Sequence, residues 1–251
     1  MRKVGVIPAR YGSIRLAGKP LMDIDGKPII QHVYDCACKA QCLDDVLVTT
    51  DDARIRVAVE GFGGKAVMTS PTHLTGTDRV AEAVQNLEFD VVVNIQGDEP
   101  LLDPAMIDEC LEPLLGDPRI QFATVMKRID REEAYDDPDV VKVVRDMSGH
   151  ALYFSRSLLP YPRTRTPDFR VYEHIGIYAF TMDCLRRFSK LPPSPLERIE
   201  GLEQLRALEN GIPIYVVESR CQCELVSVDT VADLERARLI MSARQTGGCR
   251  R

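Results

Sequence analysis

The first half of the chain alternates between two apolar periodicities, and this constrains the fold more than any other feature. Short β-branched runs, "KVGVIPA" (3–9), "DVLVTT" (45–50), "KAVMT" (65–69), "DVVVNIQ" (90–96) and "FATVMKR" (122–128), are separated by segments of helical spacing at 28–42, 52–61, 76–88 and 104–115. The runs are nearly continuous in apolar residues, as expected of strands covered on both faces. Within 76–88, Val80, Ala83, Val84 and Leu87 fall on one helical stripe. Alternation of this kind predicts βαβ units with right-handed crossovers and a mostly parallel sheet. Open sheets of that class bind ligands at the carboxyl ends of their strands, so the segments that follow each strand are where chemistry is to be sought.

The pattern changes near residue 138. "VVKVVRD" (140–146), "ALYFS" (151–155) and "HIGIYAF" (174–180) read as strands without intervening helices, joined by turns such as Ser148-Gly149. Between the last two lies "RSLLPYPRTRTPDFRVY", a long Pro- and Arg-rich loop of the kind used as lids or interfaces. "LERIEGLEQLRALENG" predicts a helix pair or bent helix ending at Gly211. Ile199, Leu202, Leu205 and Leu208 form its buried stripe, and Glu197, Glu200 and Gln204 share another face. A strand at 213–218 and a helix from about Thr230 to Ser242 close the chain. A length of 251 residues suits one large α/β domain, or one domain with a smaller lobe.

A formal net charge of −6 argues against non-specific binding to nucleic acid or acidic lipid, both of which need an electropositive face. No apolar run reaches the ~18 residues of a membrane span. The N-terminus lacks the regions of a signal peptide, so a cytoplasmic protein is expected. The eight cysteines are scattered, with two C-x-C pairs. They read as reduced, mostly buried thiols, with a zinc-binding module as the minor alternative.

Four segments could carry chemistry. In "KVGVIPARYGSIRLAGKPL", five residues separate Gly12 from Gly18-Lys19, and Pro20 stands where a phosphate loop needs a hydroxyl. The segment is therefore not a P-loop, nor is it G-x-G-x-x-G. Arg10, Arg15 and Lys19 could spread around a triphosphate, or form a solvated basic loop. In "VVVNIQGDEP", Asp98 suits a hard divalent cation held with a nucleoside triphosphate, with Glu99 assisting; otherwise Asp98 makes a turn before Pro100. Asp229, in "SVDTVADLERA", reads locally as a helix cap, beside a Thr230-x-x-Asp233 capping box. "HLTGTDR" holds a second box, Thr75-x-x-Asp78, which opens a helix whose N–H groups and Arg79 could face an anion or a base edge. The four histidines show no metal spacing, and no nucleophile is paired with a base.

Taken in order, "IPARYGSIRLAGKPL", "TGTDR", "VVNIQGDEP", "VVKVV", "ALYFSRS", "HIGIYAF", "PPSPLERIEGLEQLRALENG" and "SVDTVADLERAR" resemble the motifs of the 3-deoxy-manno-octulosonate cytidylyltransferases, from about residue 3 to 240. The resemblance implies a nucleotidyltransferase-type, Rossmann-like α/β fold with helices on both faces of a mostly parallel sheet and a small mixed-sheet lobe. It implies transfer of CMP from CTP to KDO with Mg²⁺, for lipopolysaccharide core synthesis, by a homodimer. Residues 1–130 with 213–251 are expected to form the CTP-binding core, and 131–212 the sugar-binding and dimerisation lobe. By position, Lys19, Arg15, Asp98 and Asp229 are the expected catalytic residues, the two aspartates as magnesium ligands, which overturns the cap reading of Asp229. Ala9, Arg10, Gly12, Thr77, Arg79 and Gln96 match nucleotide positions, and Gln96 also borders the sugar-acid pocket. Arg156, His174, Tyr178, Glu203 and Gln204 match the sugar-binding positions. Ala17 departs from the family, which usually has proline before Gly-Lys-Pro. The same chemistry on 8-amino-KDO or a sialic acid stays open, as does a non-catalytic nucleotide-binding regulator.

Overall fold

The computed structural model describes residues 1–12 and 16–246. The chain divides into two compact units, Met1–Asp108 with Gln222–Arg251, and Glu109–Cys221. The stretches 109–130 and 213–221, expected with the CTP-binding core, thus group with the middle of the chain.

In the first unit, strands β1 (Lys3–Ala9), β4 (Asp45–Thr50), β5 (Ala66–Met68) and β6 (Val91–Ile95) pair in parallel in the order β6-β1-β4-β5. Val4, Val6, Ile7, Val48 and Val91 to Val93 are fully buried, as continuous apolar runs require. Flanking helices are α1 (Ile29–Ala37), α2 (Ala53–Gly61) and α3 (Gly76–Val84). α1 buries Ile29, Ile30 and Val33, and α3 buries Val80, Ala83 and Val84.

Because β1 and β6 are parallel neighbours, the loop after Ala9 and the loop after Ile95 leave the sheet at the same edge. Gly97 keeps them close: a Cβ there would lie 2.8 Å from the Pro8 carbonyl oxygen. The C-terminal segment returns to this edge through α8 (Val231–Thr246). Val226, Val228, Leu234 and Ala237 join Leu16, Ile24, Ile29 and Leu101 in one buried cluster. A hairpin of β2 (Asp23–Ile24) and β3 (Lys27–Pro28) lies against it, and the Asp23 carbonyl accepts a 2.6 Å hydrogen bond from Arg238.

The second unit takes over within α4 (Pro104–Gly116). β7 (Phe122–Arg128) pairs antiparallel with β10 (Tyr172–Thr181) and parallel with β11 (Tyr215–Glu218). β8 (Lys142–Arg145) and β9 (Ala151–Ser155) form a hairpin closed at Ser148-Gly149, with Gly149 at φ 91°. The Pro- and Arg-rich loop is anchored by Val171, Leu158 and Phe169 against Ile129 and Tyr135.

Several elements differ from the expectation, each for a local reason. α3 ends at Val84, so Leu87 leaves the stripe and is 38% exposed. The 195–211 region is the expected helix pair, α6 (Pro195–Glu200) and α7 (Leu205–Glu209), but its break at Gly201, φ 64°, upsets the expected faces. The break resets the helical phase, leaving Ile199 79% exposed while Leu202 and Leu205 stay buried. It also separates Glu197, paired with Arg206, from Glu200, paired with Ser155. The 23–28 hairpin turns on Asp25-Gly26, both at positive φ, a strong hairpin signal that the apolar pattern masks. α5 (Met182–Phe188), capped by Thr181, is a further addition.

Substituting Gly97→Ala should force the β1 and β6 loops apart and lower stability by about 1–3 kcal/mol. Denaturant unfolding would measure this, and an unchanged midpoint would refute the close-approach account.

Candidate active site

A cleft of about 550 Å³ opens in the first unit at the carboxyl ends of β1 and β6. Ala9, Arg10, Lys19, Arg79, Gln96, Asp98 and Asp229 all line it. Gly12 lies exposed in the loop, outside the lining. Thr77 is buried, where its hydroxyl accepts a 3.0 Å hydrogen bond from Asn94 Nδ2. Arg15 lies outside the described residues.

The loop after β1 is drawn closed by the Gly18 N–H, which donates to the Tyr11 carbonyl at 2.9 Å. Gly18 takes φ 71°, where a side chain is disfavoured, and Lys19–Leu21 follows as a single 3₁₀ turn with Pro20 near its start. Arg54 stacks on the Tyr11 ring, 3.3 Å from its centroid. The turn directs Lys19 into the cleft, where Nζ donates to Asp98 Oδ2 at 2.7 Å and to Asp229 Oδ1 at 2.9 Å. Burial alone would lower the Lys19 pKa, but the adjacent Asp98 and Asp229 carboxylates outweigh it and hold the ammonium above its ordinary value.

Asp98 and Asp229 meet because the chain is stapled beside them. The Val228 N–H donates to the Asp98 carbonyl at 2.9 Å. The Ser227 hydroxyl donates to the Glu99 carboxylate, which is buried. Glu99, expected to assist Asp98, therefore serves to hold the returning segment. The capping box is real, but it belongs to Thr230 and Asp233: Asp233 N–H donates to Thr230 Oγ1 at 3.2 Å, and Thr230 N–H to Asp233 Oδ2 at 2.8 Å. This leaves the Asp229 carboxylate to face Lys19.

The opposite wall is the segment before α3. Thr75 caps that helix by accepting from Asp78 N–H at 3.2 Å. The Arg79 guanidinium donates to Thr69 Oγ1 at 2.7 Å and to Asp51 Oδ2 at 3.0 Å, so it clamps the segment as well as lining the cleft. His73 lines the cleft too, with Nε2 against Glu82. The Ser70 N–H, helped by His73, holds the Glu82 carboxyl below its usual range. No metal spacing marks His73 in the sequence; only its nearness to "TGTDR" does.

The sugar-site candidates lie in the second unit. Arg156 donates to the Glu200 and Pro138 carbonyls at 2.8 and 2.7 Å. His174, Tyr178 and Gln204 are buried together: Tyr178 O–H donates to Gln204 Oε1 at 3.2 Å, and His174 Nε2 lies 2.9 Å from Thr124 Oγ1. Glu203 stands near Tyr178, and both its charge and burial raise the phenol's pKa, burial the more. Among the thiols, burial pushes Cys36 and Cys110 up to about 12, so both stay protonated; Cys36 Sγ donates to the Leu102 carbonyl.

The profile of the family described as Cytidylyltransferase matches residues 4–219. The protein named 3-deoxy-manno-octulosonate cytidylyltransferase in Geobacter sulfurreducens is 48% identical over 246 residues, covering 94% of this chain and 98% of its own length. The chain belongs to the 3-deoxy-manno-octulosonate cytidylyltransferase family. A relative of the same name in Trichlorobacter lovleyi is 46% identical over 95% of this chain and 98% of its own. The solved structure of CMP:2-keto-3-deoxy-manno-octonic acid synthetase complexed with CTP matches at TM-score 0.91 and 45% identity, covering 97% of this chain and all of that one. A nucleotidyl transferase from Methanothermobacter shares the fold alone, at TM-score 0.63 and 17% identity. Among the described residues, no helix of this family member is long and apolar enough to cross a membrane.

Burial lowers the His174 pKa from 6.5 to about 3. A ¹⁵N NMR titration should find its ring neutral from pH 8 to pH 5. The unfolded chain takes up that proton near 6.5 while the folded chain does not, so His174 costs stability progressively as pH falls from 6.5 toward 3, by up to about 1.4 kcal/mol per pH unit. Protonation of His174 near pH 6.5 in the folded protein would overturn this.

Proposed function

We propose that this chain transfers CMP from CTP to 3-deoxy-D-manno-octulosonate (KDO), releasing pyrophosphate. The convergence of Lys19, Asp98 and Asp229 in one cleft carries the proposal, in a chain whose near-full-length relatives bear that enzyme's name. The KDO 2-hydroxyl, giving up its proton to water, attacks the α-phosphorus of CTP in line; a new P–O bond forms, and the bond from the α-phosphorus to the bridging oxygen breaks, its electrons leaving with pyrophosphate. Catalysis is then mostly positioning and charge neutralisation. Lys19 and Arg10 supply positive charge to the triphosphate, and the start of α3 at Gly76 adds backbone N–H groups at the cleft wall.

Asp98 and Asp229 are the residues that would hold Mg²⁺. The donor set fits: hard carboxylate oxygens of both converge on one cation, Lys19 Nζ, and the side chains keep 29% and 32% exposure, so phosphate and water can complete the coordination. When bound, Mg²⁺ neutralises triphosphate charge and polarises the α-phosphate. In the second unit, Arg156 and Gln204 are proposed to receive the KDO carboxylate, and Glu203 and Tyr178 its hydroxyls. By the resemblance of its motifs, the proposal extends to a cytoplasmic homodimer that supplies activated KDO to lipopolysaccharide core assembly.

The decisive test is pyrophosphate release with each nucleoside triphosphate crossed against KDO, its 8-amino analogue and N-acetylneuraminate. CTP with KDO should give the highest kcat/KM; no release with any sugar acid would leave a nucleotide-binding regulator instead. Asp98→Asn should lower turnover by at least on the order of 10²-fold while the folded structure persists. Near-normal turnover of that variant at saturating Mg²⁺ would sink the metal assignment.

A further inference from the structure

We infer that Thr124 is a positioning residue that sets the direction of the hydrogen bonds running through His174, Gln204 and Tyr178, and so determines which groups these side chains offer a sugar acid. The inference deepens the proposed function and rests on its reading of His174, Tyr178 and Gln204 as sugar-binding residues.

It begins at an irregularity in the backbone. The β7–β10 register shifts between Ile175 and Tyr178, and Thr124, wholly buried, sits against that shift. Its Oγ1 lies 2.7 Å from the Ile177 carbonyl and 3.3 Å from that of Ile175. Carbonyl oxygens only accept, so the one hydroxyl proton of Thr124 is committed to the backbone, foremost to Ile177. Toward His174 Nε2, 2.9 Å away, Thr124 can then only accept. The proton of the neutral ring is therefore on Nε2, and Nδ1 is a bare acceptor.

The polarity passes outward from there. Gln204 Nε2 faces His174 Nδ1 at 3.5 Å, and because a bare ring nitrogen can only accept, the group that suits it is the amide N–H. With its nitrogen so placed, Gln204 turns Oε1 to Tyr178, whose hydroxyl donates at 3.2 Å. Tyr178 is left with acceptor lone pairs, and Gln204 with one further N–H. The pair thus suits a ligand that brings a hydroxyl proton to Tyr178 and a carboxylate or hydroxyl oxygen to Gln204, as a polyhydroxy acid does. Because the chain ends on a backbone carbonyl, it holds protons in place and cannot pass one on. Thr124 acts on the ligand only through His174.

The test combines ¹⁵N NMR of the His174 ring with steady-state kinetics on the full-length enzyme, for wild type, Thr124→Val and Thr124→Ser. Wild type should show the Nε2–H tautomer; the Nδ1–H form would overturn the inference even if Thr124→Val fails to fold. Thr124→Val should lose that tautomer preference and raise the KM for KDO about tenfold, with the KM for CTP within about twofold. Thr124→Ser, which keeps the hydroxyl, should restore both. An unaltered tautomer in Thr124→Val refutes the positioning role. A changed tautomer with an unchanged KM for KDO refutes the sugar-binding reading of the cluster, and absence of KDO turnover in wild type refutes the proposed function itself.

Discussion

Lys19 brings a positive charge into a site where its side chain keeps 11% exposure, and much of the first unit is arranged around the two carboxylates that compensate it. An ammonium group removed from water costs several kcal/mol unless it is paired and hydrogen-bonded, and taking away one partner of such a group is more costly than never having built it. The pairing makes demands on three distant pieces of chain. The loop after β1 must close tightly enough to aim Lys19, which Gly18 and the Tyr11 carbonyl achieve. The loop after β6 must run close along Pro8, which needs Gly97. The segment before α8 must come back across the sheet edge, which the cluster of Val226, Val228, Leu234 and Leu16 secures.

The resulting electrostatics suit an acidic protein that handles an anionic substrate. With a formal charge of −6 over the chain, attraction for a triphosphate has to be local. One ammonium between two carboxylates leaves the pair of acids under-neutralised, which favours cations at the same point. Arg10, at the cleft and exposed, is the cation proposed to meet phosphate. Arg79 lines the same cleft but holds Thr69 and Asp51, so its charge mainly shapes the wall that carries His73.

The second unit uses a different currency. His174, Gln204 and Tyr178 are neutral when buried, and their information lies in which atom donates and which accepts. A site made of charges is selective for charge and is screened by salt; a buried network of neutral donors and acceptors is selective for hydrogen-bond pattern. The shift in the β7–β10 register, small in backbone terms, is what gives that network a fixed origin.

Much of the fold was legible in the chain itself. Strands β1, β4 and β7 begin and end where their apolar β-branched runs do, because burial on both faces leaves little freedom in choosing such residues; β9 matches its run as well, though Leu152 is exposed. Helix ends are less legible: α3 stops four residues before the expected end, and Gly201 interrupts the stripe of Ile199, Leu202, Leu205 and Leu208, since periodicity carries no mark of where hydrogen bonding gives out. The chemistry of the site was legible as residue types: cations after one strand, a carboxylate after another. Asp229 was not settled locally, because a helix N-terminus accepts an aspartate as readily as a metal or an ammonium does. The sequence by itself determined periodicity, charge and the kinds of side chain at strand ends, all properties of neighbours along the chain. The Thr230–Asp233 capping box is local and stands in the sequence; only the tertiary structure decided that Asp229 meets Lys19, 210 positions away, because such a contact depends on how the intervening chain packs and not on any residue beside it.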